Sequence, residues 1–324
     1  MKRHLLLAMV VLVLIISVIS CELLLEKPGK PTIHALFVSL DYYDFDNTLS
    51  ELPATLVDAK ETMIALDTLA QKFSMDMEIS VLFDGRNDRS WDPSDEYRIP
   101  NKANIEAKIR SYATNPEVGD NDIFLLFYSG HGDENGNSLI VMGPNLKPAG
   151  QVQDSDVVTS QNLVDWMSGI KANKILILDT CFSGYIVPEY PKTFDDRAES
   201  SLQQYDPAAF YLTASSATQT SQEALFSSIG HSHGYFSVYF LKALGWNHSE
   251  EYSSNIIIDD IEYIVDGKLF SASDSPAYKN GNILIGDVFR YITDAFRFTE
   301  GWISFQTPQT GDGPLDLVLF SEQW

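Results

Sequence analysis

A cysteine and a histidine stand at the ends of two apolar runs, fifty positions apart in the chain. His131 follows the run FLLFYSG, and Cys181 follows the run KILILDT. Continuous apolar runs of this kind are typical of buried parallel strands, whose carboxyl ends share one edge of a sheet. A thiol and an imidazole at that edge can meet, and the imidazole can then take the thiol proton to give a nucleophilic thiolate. The pair predicts attack by Cys181 on a carbonyl carbon, with His131 handling the proton.

The other candidate chemistries have weaker support in the sequence. A serine hydrolase is disfavoured because no G-x-S-x-G motif occurs in the chain. Cys181 could be an inert core cysteine, but the Phe-Ser-Gly that follows it predicts a turn that lifts it out of the core. His231 and His233 lie in the polar segment SSIGHSHGYF, which is typical of an exposed turn before a helix. They form a His-x-His pair that could bind a metal, but the sequence offers no evident third ligand.

The glycines around the histidine also bear on the chemistry. Gly130 and Gly132 allow the backbone to come close to a substrate. The N–H groups of Gly132 and Cys181 are therefore predicted to bind the oxyanion that develops on the attacked carbonyl. No cofactor is expected to take part in the chemistry itself.

The motifs YSGHGD and DTCFSG resemble those of the metacaspase and bacterial caspase-like branch of the caspase-fold cysteine peptidases. The segment QTSQE, residues 219–223, is similar to the QTSAD segment of metacaspases, and the His-to-Cys spacing matches that of caspase-type enzymes. The resemblance runs from about residue 32 to the C-terminus. It implies an endopeptidase that cleaves peptides or proteins after Arg or Lys, with Asp179, Asp58 and Ser129 lining the pocket for that side chain.

The same resemblance implies two further features. Many metacaspases are activated by calcium through acidic loop residues, for which the loop QVQDSDVV offers Asp154 and Asp156. Two carboxylates are too few for calcium, which takes six or more oxygen ligands. Caspase-like enzymes are often cut between the nucleophile strand and the next strand, here the irregular, polar loop 185–208, where Lys192 and Arg197 have the expected specificity. An uncut loop is the alternative.

The elements that must position these residues alternate between strands and helices. Apolar runs beginning at residues 34, 77, 123 and 174 are separated by segments with apolar residues at helical spacing. This alternation predicts an α/β fold: a caspase-like three-layer sandwich with a mostly parallel central sheet and helices on both faces. Residues 32–324 are predicted to form this peptidase domain. The polar stretch 247–280 is interpreted as an irregular insertion.

The N-terminal segment predicts export. A basic start leads into an apolar run that Cys21 closes, and VISC resembles a bacterial lipobox, whose Cys is lipidated. Residues 1–21 are therefore predicted to be a signal peptide and residues 22–31 a tether, giving a lipoprotein anchored in the bilayer on the periplasmic or cell-surface side. An uncleaved membrane anchor is the alternative. A disulfide between Cys21 and Cys181 is disfavoured, since it would abolish both predicted roles.

The charge of the chain limits its partners. Removal of the signal peptide leaves 20 of the 22 basic residues against 45 acidic ones. Nucleic acid is an improbable partner, because binding a polyanion needs clustered Lys and Arg. Two alternative functions stay open at this point: a catalytically silent caspase-fold scaffold or binding protein, and a relative of the gingipain, clostripain or legumain type. The intact His and Cys favour an enzyme over a scaffold, and the QTSQE segment favours the metacaspase branch.

Overall fold

A computed structural model of the chain describes ten stretches of its sequence. They are residues 29–42, 49–84, 99–133, 138–141, 152–181, 209–216, 218–226, 232–300, 306–310 and 314–324. The predicted signal peptide with Cys21, most of the tether, and the loop 185–208 with Lys192 and Arg197 lie outside these stretches. Residues Pro31–Gln323 form one compact unit. No helix in the described stretches is long and apolar enough to cross a membrane.

Strands and helices alternate along the chain as the apolar runs predict. The helices of the described stretches are α1 (Thr55–Lys72), α2 (Lys102–Thr114), α3 (Ser160–Met167), α4 (Tyr235–Leu244) and α5 (Ile285–Ala295). The strands are β1 (Ile33–Leu40), β2 (Met77–Asp84), β3 (Ile123–Ser129), β4 (Ser138–Ile140), β5 (Val157–Thr159), β6 (Asn173–Asp179), β7 (Ala209–Thr213), β8 (Glu223–Leu225), β9 (Ser232–Gly234), β10 (Ser253–Ile258), β11 (Ile261–Asp266), β12 (Tyr278–Lys279), β13 (Asn282–Leu284), β14 (Gln309–Thr310) and β15 (Val318–Ser321).

The central sheet has six strands in the order β14-β7-β6-β3-β1-β2. Five of them run parallel, and the edge strand β14 is antiparallel to β7. Strands β3 and β6 are neighbours in a register that sets Ser129 opposite Asp179. Both predicted catalytic residues therefore follow adjacent strands at the same edge of the sheet, where parallel α/β proteins place their ligand sites.

Helices cover the sheet on both sides because its strands are buried on both faces. Every residue of β1 and β3 is buried, so these strands have no polar face to present to water. On one face, side chains of β1, β3, β6 and β7 form a core with α2 and α3. Helix α1 packs on β1 and β3 and also contacts α4, which in turn contacts α5. The predicted three-layer sandwich with a mostly parallel sheet is confirmed.

Capping residues set the ends of several helices. The Asn101 side chain accepts a hydrogen bond from the amide of Asn104 at the start of α2. Thr159 and Asn162 form a reciprocal capping box at the start of α3. After α4, Gly245 takes the left-handed conformation (φ +88°), which ends the helix at little steric cost.

The segment predicted as an irregular insertion, residues 247–280, contains a regular antiparallel hairpin. Strands β10 and β11 pair from Ser253 opposite Asp266 to Ile258 opposite Ile261. Asp259 and Asp260 form the two-residue turn with positive φ values of 49° and 66°. Tight hairpins require positive φ at these positions and usually use Asn-Gly or Asp-Gly. The prediction of an irregular segment is wrong, because an Asp-Asp turn is a weak sequence signal for a hairpin.

Candidate active site

The ends of β3 and β6 come into direct contact. The amide of Gly130 donates to the carbonyl of Asp179 at 3.2 Å. A Cβ atom at Gly132 would overlap the carbonyl oxygen of Cys181, so only glycine allows the two segments to approach this closely. His131 and Cys181 lie in the wall of one cleft. The strand ends thus bring the imidazole and the thiol to the same site.

The ring of His131 is held by a main-chain carbonyl. Its Nε2 lies 2.8 Å from the carbonyl oxygen of Ser50. A carbonyl only accepts hydrogen bonds, so Nε2 carries the proton and Nδ1 keeps the lone pair. Burial lowers the pKa of His131 below its ordinary value. The imidazole is therefore neutral near pH 7 and can accept a proton at Nδ1.

Two buried tyrosines fix the backbone around the histidine. The hydroxyl of Tyr42 accepts from the His131 amide at 2.9 Å and donates to the carbonyl of Ile140 at 2.6 Å. The hydroxyl of Tyr128 donates to the carbonyl of His131 at 2.8 Å. The Tyr42 ring also packs on the imidazole, with ring centres 4.6 Å apart. Both tyrosines lie in the core, so the histidine is attached to a rigid support.

The thiol of Cys181 is in its protonated form in this cleft. Its Sγ lies 3.7 Å from the carbonyl oxygen of Ser221, to which it donates. Burial raises the pKa of Cys181, and the charges of Asp179 and Glu223 raise it further. A thiol in this environment needs a base to ionise it. Such a base needs an unprotonated atom with a lone pair, which the neutral His131 ring offers at Nδ1.

Gly132 lies beside Cys181. Gly132 forms an isolated antiparallel bridge with Leu139. In that bridge the amide of Asp133 donates to the carbonyl of Ser138, and the amide of Ile140 donates to the carbonyl of His131. The bridge holds the residue in place without using its own N–H. This arrangement is compatible with the predicted role of that N–H toward an oxyanion.

One part of the cleft that contains Cys181 is lined by Asp58, Asp179 and Glu223, and we call this part the acidic pocket. Asp179 accepts hydrogen bonds from Ser221 Oγ (2.8 Å) and Ser237 Oγ (2.6 Å). A Cβ atom at Gly234 would lie 2.7 Å from Asp179 Oδ2 and 3.2 Å from Asp58 Oδ2. The two aspartates therefore face the same small space, which the missing side chain of Gly234 leaves open.

Asp58 reaches the pocket from the first turns of α1. Its Oδ1 lies 2.7 Å from Nδ1 of His233, and its Oδ2 accepts from the amide of Gly234 at 2.9 Å. The side chain of Asp58 is therefore buried and bonded to β9, although it belongs to a helix. The interpretation of His233 as part of an exposed turn is wrong, since its ring is fully buried against Asp58.

The acidic pocket has no Lys or Arg among the described residues of its wall. Burial raises the pKa of Asp58 and of Asp179, and the pair's mutual repulsion adds to the effect on Asp58. Burial, followed by the charges of Asp58 and Asp179, raises the pKa of Glu223 to about 8. Such a pocket favours a cationic group, which would stabilise the ionised carboxylates.

The cleft brings together the residues predicted for the catalytic pair and for the substrate pocket. Asp58, Ser129, His131, Asp179 and Cys181 all line it. The predicted calcium residues are not among the described residues that line the cleft. Asp156 is buried and accepts from the amide of Gln153 and from Ser155 Oγ, each at 3.0 Å. Asp154 is exposed. The carboxylate of Asp156 is used in capping a short 3-10 helix, and calcium binding there stays a prediction.

Sequence reasoning missed several residues that shape the site. Glu223 ends the QTSQE segment, and the Asp of the similar QTSAD segment was the signal that could have identified it. Ser237, on the first turn of α4, and Tyr42, just after β1, belong to no motif. Their roles depend on which elements pack beside the strand ends, and the local sequence does not encode that.

The match to a family model agrees with this geometry. The model described as the caspase domain of peptidase family C14 matches residues 32–271. This match covers most of the chain and includes both strand ends and the acidic pocket. No curated protein matches the chain in sequence.

Proposed function

The chain belongs to the caspase-domain family of cysteine peptidases, and from that premise we propose that it is an endopeptidase that cleaves after Arg or Lys, with His131 and Cys181 as its catalytic pair. The acidic pocket beside Cys181 is the observation that carries this proposal. The family gives the reaction class, and the charges of the site give the substrate class.

The reaction begins with proton transfer from the thiol of Cys181 to Nδ1 of His131. The thiolate attacks the scissile carbonyl carbon, and the electron pair of the C=O bond moves to oxygen. The amides of Gly132 and Cys181 donate to that oxyanion. As the C–N bond breaks, His131 returns its proton to the leaving amine. Water, deprotonated by the same imidazole, then hydrolyses the thioester and restores the thiol.

The specificity follows from the balance of charge. A guanidinium or ammonium group that enters the pocket offsets the desolvation of Asp58 and Asp179 and favours their ionised forms. An acidic side chain would instead add a negative charge to an already acidic, buried site. Arg can in addition donate to two carboxylates at once, because its planar group presents several N–H donors in fixed directions.

Peptide substrates that differ only in the residue before the scissile bond test the proposal. Fluorogenic peptides with Arg, Lys, citrulline, Leu or Asp at that position would be compared with and without calcium. We expect turnover of the Arg and Lys peptides and its loss in Cys181→Ala and His131→Ala, with unchanged circular dichroism. Preference for the Asp peptide would refute the specificity. Undiminished turnover by either variant would refute the catalytic pair.

The location of the enzyme is a separate proposal. Residues 1–21 support export and lipidation of Cys21, which would anchor the peptidase to a bilayer by acyl chains. Metabolic labelling with a radioactive fatty acid tests this, since Cys21→Ser should lose the label. Label retained by Cys21→Ser would exclude the lipoprotein assignment.

A further inference from the structure

A second cluster of polar side chains lies behind the acidic pocket. Glu61 on α1, His233 on β9 and His248 after α4 each offer one ligand atom, and these atoms all lie within 4.8 Å of one another. The exposed fractions of their side chains are 1%, 0% and 4%. Glu61 lies 172 positions before His233 in sequence, and the two histidines flank α4, so the three residues meet only in the folded chain. The peptidase mechanism proposed above uses none of them.

Asp58 fixes the orientation of the central histidine. Nδ1 of His233 lies 2.7 Å from Asp58 Oδ1, and the carboxylate accepts the Nδ1 proton. The lone pair of the ring is then on Nε2. Metal-binding histidines commonly donate their other ring N–H to a carboxylate in this way, which selects the tautomer and raises the basicity of the ligating nitrogen.

His248 is buried without the hydrogen bonds that normally compensate for burial. Neither of its ring nitrogens has a hydrogen-bond partner among the described residues. Its Nδ1 lies 3.1 Å from Glu61 Oε2, but this contact does not have the geometry of a hydrogen bond. Two ligands of a tetrahedral zinc ion, each at about 2.0–2.1 Å, lie about 3.3 Å apart. The Glu61 to His248 separation is therefore close to that of two atoms bound to one ion.

The histidines are arranged edge to face. Their ring centres are 5.1 Å apart with an interplanar angle of 65°. Neither ring nitrogen of His248 is engaged by a hydrogen bond among the described residues, and neutral imidazole is the form that binds metals.

We infer that Glu61, His233 and His248 form a binding site for a divalent transition metal of the zinc class, with Asp58 positioning His233. Two imidazoles and one carboxylate suit zinc, whereas calcium prefers an all-oxygen set. A water completes the four ligands that zinc prefers. The ion joins α1, β9 and the segment after α4, so it stabilises the fold behind the acidic pocket. Glu61 also lies in the wall of a surface groove with Lys60 and Asp266, so one side of the cluster is near solvent.

Metal titration of the full chain tests this inference. The Cys181→Ala variant serves as the parent, because the active-site thiol is itself a strong zinc ligand. After treatment with a chelator, this protein would be titrated with Co²⁺ by absorption spectroscopy and with Zn²⁺ by calorimetry and thermal denaturation. We expect one ion per chain, visible bands of four-coordinate Co²⁺ without thiolate charge transfer, and a higher Tm with Zn²⁺.

Ligand variants decide where the ion binds. Glu61→Gln and His248→Gln should each weaken Zn²⁺ binding by more than about 100-fold, since even residues that only orient a ligand account for about 10–100-fold. His34 provides a matched control, because it is buried beside two carboxylates, Glu78 and Asp122, which approach different ring nitrogens. His34→Gln should bind Zn²⁺ as the parent does.

Several results would overturn the inference. One is the absence of binding by the parent at millimolar Zn²⁺. Another is binding that both Glu61→Gln and His248→Gln retain, or that only Glu223→Gln abolishes, since the ion would then lie in the acidic pocket. If His248→Gln does not fold, Glu61→Gln is decisive, because it is nearly isosteric. None of these readouts requires peptidase activity, so the result is independent of the proposed function.

Discussion

Replacement of Asp179 by Asn tests the acidic pocket most sharply, because it removes a charge and keeps the shape of the side chain. Asp179 accepts hydrogen bonds from Ser221 and Ser237, and Asn can retain one of them through its oxygen. The amide group can face the other hydroxyl as a donor, since a serine hydroxyl also accepts. The variant should therefore fold with its pocket intact but with one carboxylate fewer.

The size of the effect follows from the burial of this carboxylate. Removing one partner of a desolvated, hydrogen-bonded charge pair costs about 2–5 kcal/mol. At about 1.4 kcal/mol per tenfold change, this range corresponds to about 30-fold to several thousand-fold in kcat/KM. Asp58 and Glu223 remain in the pocket and share the substrate charge. We therefore expect a loss near the lower end, about 30–300-fold, for an Arg peptide.

The assay compares the Arg peptide with a citrulline peptide, which has nearly the same shape but no charge. Asp179→Asn should lower kcat/KM for the Arg peptide and leave that for the citrulline peptide within a few-fold of wild type. The exposed Asp165 on α3 provides a control, because Asp165→Asn removes the same charge away from the cleft lining. Equal losses for both peptides would refute the reasoning, since they would indicate a structural role.

The thermal stability of Asp179→Asn should not fall, although its activity does. The pKa of Asp179 is raised in the folded state, so this carboxyl favours folding below its unfolded pKa and loses that contribution as the pH rises through its folded pKa. At pH 8 the uncharged Asn avoids this loss. The Tm of Asp179→Asn should then equal or exceed that of wild type at pH 8. A Tm that is several degrees lower would show that the charge supports the fold.

Three further predictions concern the strand ends, the third carboxylate and the chain between β6 and β7. Gly132→Ala should abolish turnover, because its methyl group would overlap the Cys181 carbonyl. Gly119→Ala is the control and should retain activity, because its added Cβ meets only a side-chain oxygen at 3.6 Å. Equal activity of the two variants would contradict the close contact between Gly132 and Cys181. Because the pKa of Glu223 is about 8, kcat/KM for an Arg peptide should rise as the pH approaches that value and the carboxyl ionises. Glu223→Gln should lose this part of the pH profile, and an unchanged profile would refute the role of Glu223. Wild type incubated with calcium should be cut after Lys192, which intact-mass measurement beside Cys181→Ala detects; an identical single chain in both would exclude self-cleavage.

The sequence was sufficient to predict the fold because its apolar runs are long and uninterrupted. Such runs can only be buried on both faces, which requires helices on both sides of a parallel sheet. The same property located the predicted catalytic residues. His131 and Cys181 each follow a run, and the ends of parallel strands share an edge, so Ser129 and Asp179 also had to lie near them.

The remainder of the site depends on packing between distant segments. The segment SSIGHSHGYF is polar, and polarity predicts exposure, yet His233 is fully buried because a carboxylate on α1 compensates for its burial. Gly234 matters because two side chains from other elements converge beside it. His248 is 187 positions from Glu61 in sequence, and no local pattern relates them. These pairings follow from the way α4 docks on α1, which only the folded chain reveals.

The pairing of β6 with β7 has a consequence for a chain cut between them. Cys181 follows β6, whereas Ser221, Glu223 and Ser237 all follow β7, so a cut would place Cys181 and these three residues on separate polypeptides. The two strands are held side by side by a parallel ladder from Lys174 opposite Ala209 to Leu178 opposite Thr213. The halves would therefore persist as a noncovalent heterodimer with a shared active site. They would copurify under native conditions and separate only in denaturant, and each half made alone would have an exposed strand edge that its counterpart has to cover.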